Sequence, residues 1–210
     1  MDSSLHQYTQ MAIQKERKKI NFQYIMTLCC SLFAGGVFVS FLTDEFLPGI
    51  LRQVAVHFEL AFFEMPSLFR GILWMIRYSV PDLICGGICF LFSFSNIHCL
   101  IADLLLIFQG ISSGFSIWLL FQIECSRTPV FANGGYFFTF LLFRLCVLTL
   151  FTVFCIQTSY IAMTQTQDLR TGRLTLPASS VKRLLLWLTT FGIAVLLLTG
   201  FYAMILYFIF

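Results

Sequence analysis

The chain has 210 residues, of which 59% are hydrophobic and only 11% charged, with a formal net charge of +3. A soluble domain carries about 25% charged residues, so this composition excludes an ordinary water-facing globule and points to lipid as the solvent. The net charge is too small and too dispersed for a nucleic-acid binder.

In chain order, residues 1–23 read as a polar, cytoplasmic basic arm that carries Lys15, Arg17, Lys18 and Lys19. The first apolar run, 24–42, has the ~20 residues a helix needs to cross a bilayer. It is long for the apolar core of a signal peptide. It ends in Phe41, Leu42, Thr43, Asp44 and Glu45, not in a small-residue cleavage site, so it reads as a retained helix. The stretch 43–78 is apolar but interrupted by charge. Over 50–65, helical spacing puts Leu51, Val54, Phe58, Ala61, Phe62 and Met65 on one face, with Arg52, Gln53, His57, Glu59 and Glu64 spread over the other. Bracketed by Pro48 and Pro66, this predicts a helix lying in the membrane interface or packed on the bundle. A second such piece is predicted over 68–78.

Helix two is predicted over 80–95, with Pro81 suited to its first turn, and Ser95, Asn96, Ile97 and His98 then make a tight turn. Helix three is predicted over 100–122, helix four over 136–163 and helix five over 184–208. The segment 164–183 is a polar basic loop with Arg170, Arg173, Lys182 and Arg183. The fold class is therefore an all-α integral membrane protein: five transmembrane helices plus an extracytoplasmic interfacial helical segment, in one membrane domain over 24–210. Placing the N-terminus in the cytoplasm puts both basic clusters inside, as the bias of Lys and Arg toward cytoplasmic loops requires. The expected location is the cell membrane.

Ionisable residues inside a bilayer are costly and become functional candidates by default. Three stand here: Asp82, Asp103 and Arg144. Arg144 lies about 12 Å in from the outer end of helix four at 1.5 Å per residue. Asp82 lies a few residues in from the outer end of helix two, and a long arginine side chain can bridge the difference. An Asp82–Arg144 contact fixing helix two against helix four is expected, with Asp103 a worse match in depth.

The segment Gln109, Gly110, Ile111, Ser112, Ser113, Gly114, Phe115, Ser116 is the most distinctive in the chain. Gly110 and Gly114 form a small-xxx-small face, widened by Ser113, that lets a neighbouring backbone approach. Gly86 and Gly87, or Gly35 and Gly36, are candidate facing surfaces, and Gln109 is a candidate interhelical hydrogen-bonding group. His6, His57 and His98 have no metal-ligand company in sequence. Of eight cysteines, Cys29, Cys30, Cys85, Cys89, Cys146 and Cys155 fall in apolar segments, where free cysteine acts as a small hydrophobe. There is no nucleophile elbow, zinc-protease helix or phosphate-binding glycine loop. No enzyme, cofactor or metal site is expected.

This organisation resembles the stage II sporulation protein M family of bacterial integral membrane proteins. The resemblance is carried by the layout, from basic arm to fifth helix, and by Gly110, Gly114 and Phe115 in helix three. Asn96, Ile97 and His98 stand in the short turn where that family often has a proline. The resemblance implies a non-enzymatic scaffold or assembly protein that organises peptidoglycan-remodelling enzymes. It would associate through the Gly110–Gly114 face and present 43–78 to partners. Its implied partners are the lipid bilayer and other membrane proteins, cell-wall hydrolases among them, or a second copy of the chain. The alternative is a small transporter or permease-like subunit using Asp82, Asp103 and Arg144.

Overall fold

The computed structural model describes residues 2–45, 68–95, 97–125, 135–170 and 178–209, and among them every regular element is a helix. These are α1 (Asp2–Glu45), α2 (Leu68–Phe92), α3 (His98–Cys125), α4 (Gly135–Arg170) and α5 (Ala178–Ile209). Four of them contain a stretch long and apolar enough to cross a membrane: Arg17–Phe38, His98–Phe121, Phe137–Met163 and Ser179–Ile205. In α2 the apolar stretch, Ser79–Phe92, is shorter.

Every helix runs further at one end or both than its sequence suggests; α4 continues to Arg170 and α5 begins at Ala178, so most of the expected 164–183 loop is helical. The arm does not stop before the first apolar run: α1 is one helix of 44 residues, about 66 Å at 1.5 Å per residue. Residues 2–34 contain neither glycine nor proline and are rich in Lys, Gln, Met and Leu, so nothing in them interrupts a helix. In α2 the piece over 68–78 is continuous with helix two, and Pro81 lies inside the helix, not in its first turn. Pro81 cannot donate to the carbonyl of Arg77, yet the 25-residue helix continues to Phe92. Its packing on three neighbours outweighs the lost bond. The expected interfacial helix over 50–65 lies outside the described residues.

The turn between α2 and α3 is held by serines. Ser93 N–H and Ser95 N–H donate to the carbonyls of Phe90 and Phe92 at 3.1 and 2.8 Å. Ser95 Oγ accepts from Ile97 N–H at 3.4 Å, and the Ser95 carbonyl accepts from His98 N–H at 3.1 Å. The Ser95 Oγ–Ile97 contact is a serine turn of the i, i+2 kind that leads the chain into α3.

Successive helices alternate in direction. α1 runs parallel to α3, with Gln23 beside Asp103 and Leu32 beside Gly114. α2 runs parallel to α4, with Asp82 beside Arg144 and Cys89 beside Cys155. α5 opposes α4: Phe191 stacks on Phe154 (centroids 4.9 Å apart) and Tyr202 on Phe143 (4.6 Å). Half of the apolar stretch of α4 is buried (50%) but only 17% of that of α1, so α4 is the axis and α1 the periphery. α1 packs chiefly on α3, and α5 on α2 and α4.

The alternation brings the α1 basic run (Lys15, Arg17, Lys18, Lys19) and the start of α5 (Lys182, Arg183) to the same end of the bundle. Arg17 of α1 meets Tyr160 of α4, and α5 runs back along α4 from the same end, with Phe191 on Phe154. Two apolar clusters fill the interior. Leu119, Leu120, Phe140, Phe143, Val147 and Tyr202 lie toward the far end. Cys85, Cys89, Leu106, Phe151, Phe154 and Phe191 lie toward the basic end. Outward, Phe33, Leu91, Phe108, Leu197 and Phe201 are each more than 60% exposed. Such an apolar exterior suits acyl chains and not water, as expected of a multi-pass membrane protein.

Candidate functional site

Between the two apolar clusters lies a buried polar layer. Arg144 of α4 donates from Nη1 to Asp82 Oδ2 of α2 at 3.0 Å and to Oδ1 at 3.4 Å. Its Nε donates to Ser113 Oγ at 2.9 Å and its Nη2 to Gln109 Oε1 at 3.3 Å, both on α3. All four side chains are buried. Each guanidinium nitrogen and each carboxylate oxygen therefore has a protein partner. The layer ties α2, α3 and α4 at one level, and an incoming ligand would have to displace those partners.

The local sequence of α3 explains how one short segment serves two neighbours. Gln109 and Ser113 are four residues apart and share a face, directed at Arg144. Gly110 and Gly114 are also four apart, on a face turned by about 100°, and they meet α1. A Cβ on Gly114 would collide with the Leu32 carbonyl and one on Gly110 with the Ser31 side chain. A Cβ on Gly35 would collide with the Ile111 carbonyl. The two backbones thus approach as closely as glycine permits.

These positions correct several sequence expectations. Ser113 does not widen the glycine face; it binds Arg144. The Gly110–Gly114 face is covered by the chain's own α1, so it is not free for lateral association. Gly86 faces Phe191 of α5, whose ring edge lies 2.6 Å from the place of a Cβ. Gly87 has nothing within 4 Å of that place and takes no part in close packing. Phe115 packs, partly buried, beside the far-end cluster. Asp103 does not join Asp82 and Arg144. It accepts a hydrogen bond from Gln23 Nε2 at 2.9 Å, six residues from Gln109, or about 9 Å along the helix.

A second polar set lies at the basic end. Tyr24 and Ser159 hydroxyls are 2.6 Å apart in the interior. The Tyr160 hydroxyl has two acceptors in reach of its one proton, the Arg17 carbonyl at 3.0 Å and Asn21 Oδ1, and the Arg17 guanidinium sits 5.2 Å from the Tyr160 ring centroid. Cys89 and Cys155 sulfurs lie 3.9 Å apart, with Thr158 Oγ1 3.6 Å from Cys89. Among the described residues, His98 Nδ1 and Nε2, and Asp103 Oδ1, are buried with no hydrogen-bond partner. The sequence reading did not single out Gln23, Tyr24, Ser159 or the Cys89–Cys155 pair. Polar Ser159 and Tyr160 inside an otherwise apolar helix were the signal available for part of this set.

Among the described residues no three of His, Cys, Asp and Glu are grouped to hold a metal ion. An apolar groove of about 430 Å³ opens between α1, α3 and α4, walled by Phe33, Gly36, Val37, Trp118 and Leu145 among others.

No protein-family model matches the chain, and neither a curated protein nor a solved structure matches it. The resemblance to the stage II sporulation protein M family therefore rests on the layout and on Gly110, Gly114 and Phe115 alone.

Proposed function

We propose that the chain is a non-catalytic scaffold of the cell membrane, crossing it five times with its N-terminus in the cytoplasm. The observation that carries this reading is the closed polar layer. Arg144, Asp82, Gln109 and Ser113 engage one another, the behaviour of a clamp that fixes helix positions. An ionic clamp of this kind sets register and not reactivity. Five crossings are supported by the alternation of helix directions and by the 25 residues of α2, about 37 Å. The N-in orientation is supported by the shared end of the two basic clusters.

In this reading the partners are other membrane proteins, with cell-wall hydrolases first among them from the sporulation-family resemblance. The Gly110–Gly114 face is already occupied by α1, so partners engage another surface, and the extracytoplasmic stretch 43–78 is the first to test. The test is affinity purification from native membranes in mild detergent, with mass spectrometry of what is co-recovered. Co-recovery of cell-wall hydrolases or membrane assembly proteins that is lost when 46–67 is replaced by a neutral linker supports the reading. Recovery of the protein alone counts against it.

One observation favours a second reading, a small transporter. His98 and Asp103 Oδ1 present buried polar atoms without partners among the described residues at the basic end, where a permeating ion or proton would need them. Uptake by proteoliposomes that is abolished in Asp103→Asn would move the weight to transport.

A further inference from the structure

We propose that the basic end of the bundle is a binding surface for anionic phospholipids. It is built by α1, α4 and α5, and it takes the headgroup and the first part of the acyl chains together. The proposal rests on the membrane reading above but not on the scaffold role.

Six exposed cations lie at this end: Lys15, Arg17, Lys18 and Lys19 on α1, and Lys182 and Arg183 on α5. Lys15, Lys18 and Lys19 are three and four residues apart, so they form one stripe on α1. Because α1 is continuous from Asp2, the stripe is held on a helix that extends from the membrane stretch. Arg17 points the other way and is fixed over the Tyr160 ring of α4. Among the described side chains, the carboxylate nearest this level is Asp103, which is occupied by Gln23. By sequence one carboxylate, Glu16, stands within the α1 run, so the six cations outnumber it and leave this end net positive.

What identifies the ligand as a lipid is the layer directly above. Phe22, Ile25 and Met26 on α1 are exposed within two turns of Lys19, and Leu185 and Leu186 on α5 are exposed within one turn of Lys182 and Arg183. Tyr160 stands partly exposed at the boundary of the two layers, beside Arg17 and Asn21, where aromatic side chains with a polar end settle in membrane proteins. A free phosphate would use only the cations. A nucleic acid would meet an apolar wall. A phospholipid with net negative charge uses both layers, and clusters of four to eight basic residues next to a membrane helix have the size such lipids recognise.

The test uses the full-length protein purified in a mild non-ionic detergent. Native mass spectrometry counts lipids retained after incubation with phosphatidylglycerol or phosphatidylcholine of identical acyl chains. Phosphatidylglycerol adducts are expected to dominate at low salt and to fade as salt rises. In Lys182→Gln/Arg183→Gln the apparent affinity for phosphatidylglycerol is expected to fall by about 25-fold, at about fivefold per basic residue. Should that variant misfold, Lys18→Gln/Lys19→Gln carries the same expectation. Equal retention of the two lipids, or unchanged affinity in a folded variant, overturns the proposal. Displacement of the bound lipid by inorganic pyrophosphate as effectively as by short-chain phosphatidylglycerol also overturns it, since the apolar layer would then contribute nothing. Thiol-accessibility mapping of which side the basic end faces is a separate readout. A basic end facing outward would sink the proposed orientation and leave the lipid surface standing.

Discussion

α3 is gripped on two faces by opposite means. Toward α1 it presents Gly110 and Gly114, and the grip is the near contact of two backbones with almost no side chain between them. Toward α2 and α4 it presents Gln109 and Ser113, and the grip is a set of hydrogen bonds converging on one buried guanidinium. In lipid, apolar side chains gain nothing by leaving the solvent for one another, so helices are held by close packing and by polar bonds. Here both means are encoded in six consecutive residues, as two i, i+4 pairs offset by one position. The first grip resists any added atom. The second resists any removed charge.

The largest effect is expected where the second grip is broken from one side. Arg144→Met strands the buried Asp82 carboxyl without its cation, and should cost about 3–5 kcal/mol, read as loss of the folded fraction in a denaturing-detergent titration. Asp82→Leu/Arg144→Met removes the stranded carboxyl with its partner and should recover most of that loss. Exchanging the charges, Asp82→Arg/Arg144→Asp, should also outperform either single change. A double variant no better than the worse single one would mean that the four side chains do not act as a unit.

The first grip should fail next. Gly114→Leu places a branched side chain against the Leu32 carbonyl, which belongs to a helix backbone and cannot swing aside. Overpacking of this kind costs about 1–3 kcal/mol, and the loss should show as α1 separating from α3 in a crosslinking assay. Gly110→Ala should be milder, because the obstacle there is the Ser31 side chain, which can rotate. Gly36→Ala and Gly87→Ala meet open space, so each should be neutral, or stabilising by up to about 1 kcal/mol from helix propensity. If Gly36→Ala and Gly114→Leu were equally harmful, the close approach would not be what holds α1.

These outcomes bear on what the sequence discloses. Apolar run length makes the helical architecture readable, because bilayer thickness fixes how long a run must be. Depth counting singles out Asp82 and Arg144 as mates, because a lone charge at that depth is expensive. The facing of single residues is another matter. A Cβ added at Gly35 would meet a neighbouring helix and one at Gly36 would not; the same contrast separates Gly86 from Gly87. In each pair the difference is a rotation of about 100° about the helix axis, set by tertiary packing that local sequence does not carry. The same holds for Pro81. Local rules assign it to a first turn, but here it sits well inside α2. The contacts at the basic end join residues 66 to 143 positions apart, beyond the reach of any periodicity.

A distance check on helix register comes from the Cys89–Cys155 pair. With sulfurs 3.9 Å apart, copper-phenanthroline oxidation in membranes should join these two in preference to Cys85 or Cys146, as read by mass spectrometry of digested protein without reductant. Crosslinking of Cys85 instead would shift α2 by one turn against α4 and undo the Asp82–Arg144 alignment.

The smallest effect worth measuring separates the basic-end contacts from both grips. Tyr24→Phe removes only the hydroxyl that meets Ser159 at 2.6 Å. The ring, which is buried in the same cluster as Phe154 and Cys155, keeps its packing. Interhelical hydrogen bonds in membranes average about 0.6 kcal/mol, so the expected loss is of that order. Ser159→Ala should cost a similar amount, and the double variant should cost little more than either single one, because both delete one bond. That non-additivity is the signature of a direct pair. Additive losses would mean that each hydroxyl has a separate partner and that α1 is tied to α4 at this level by packing alone.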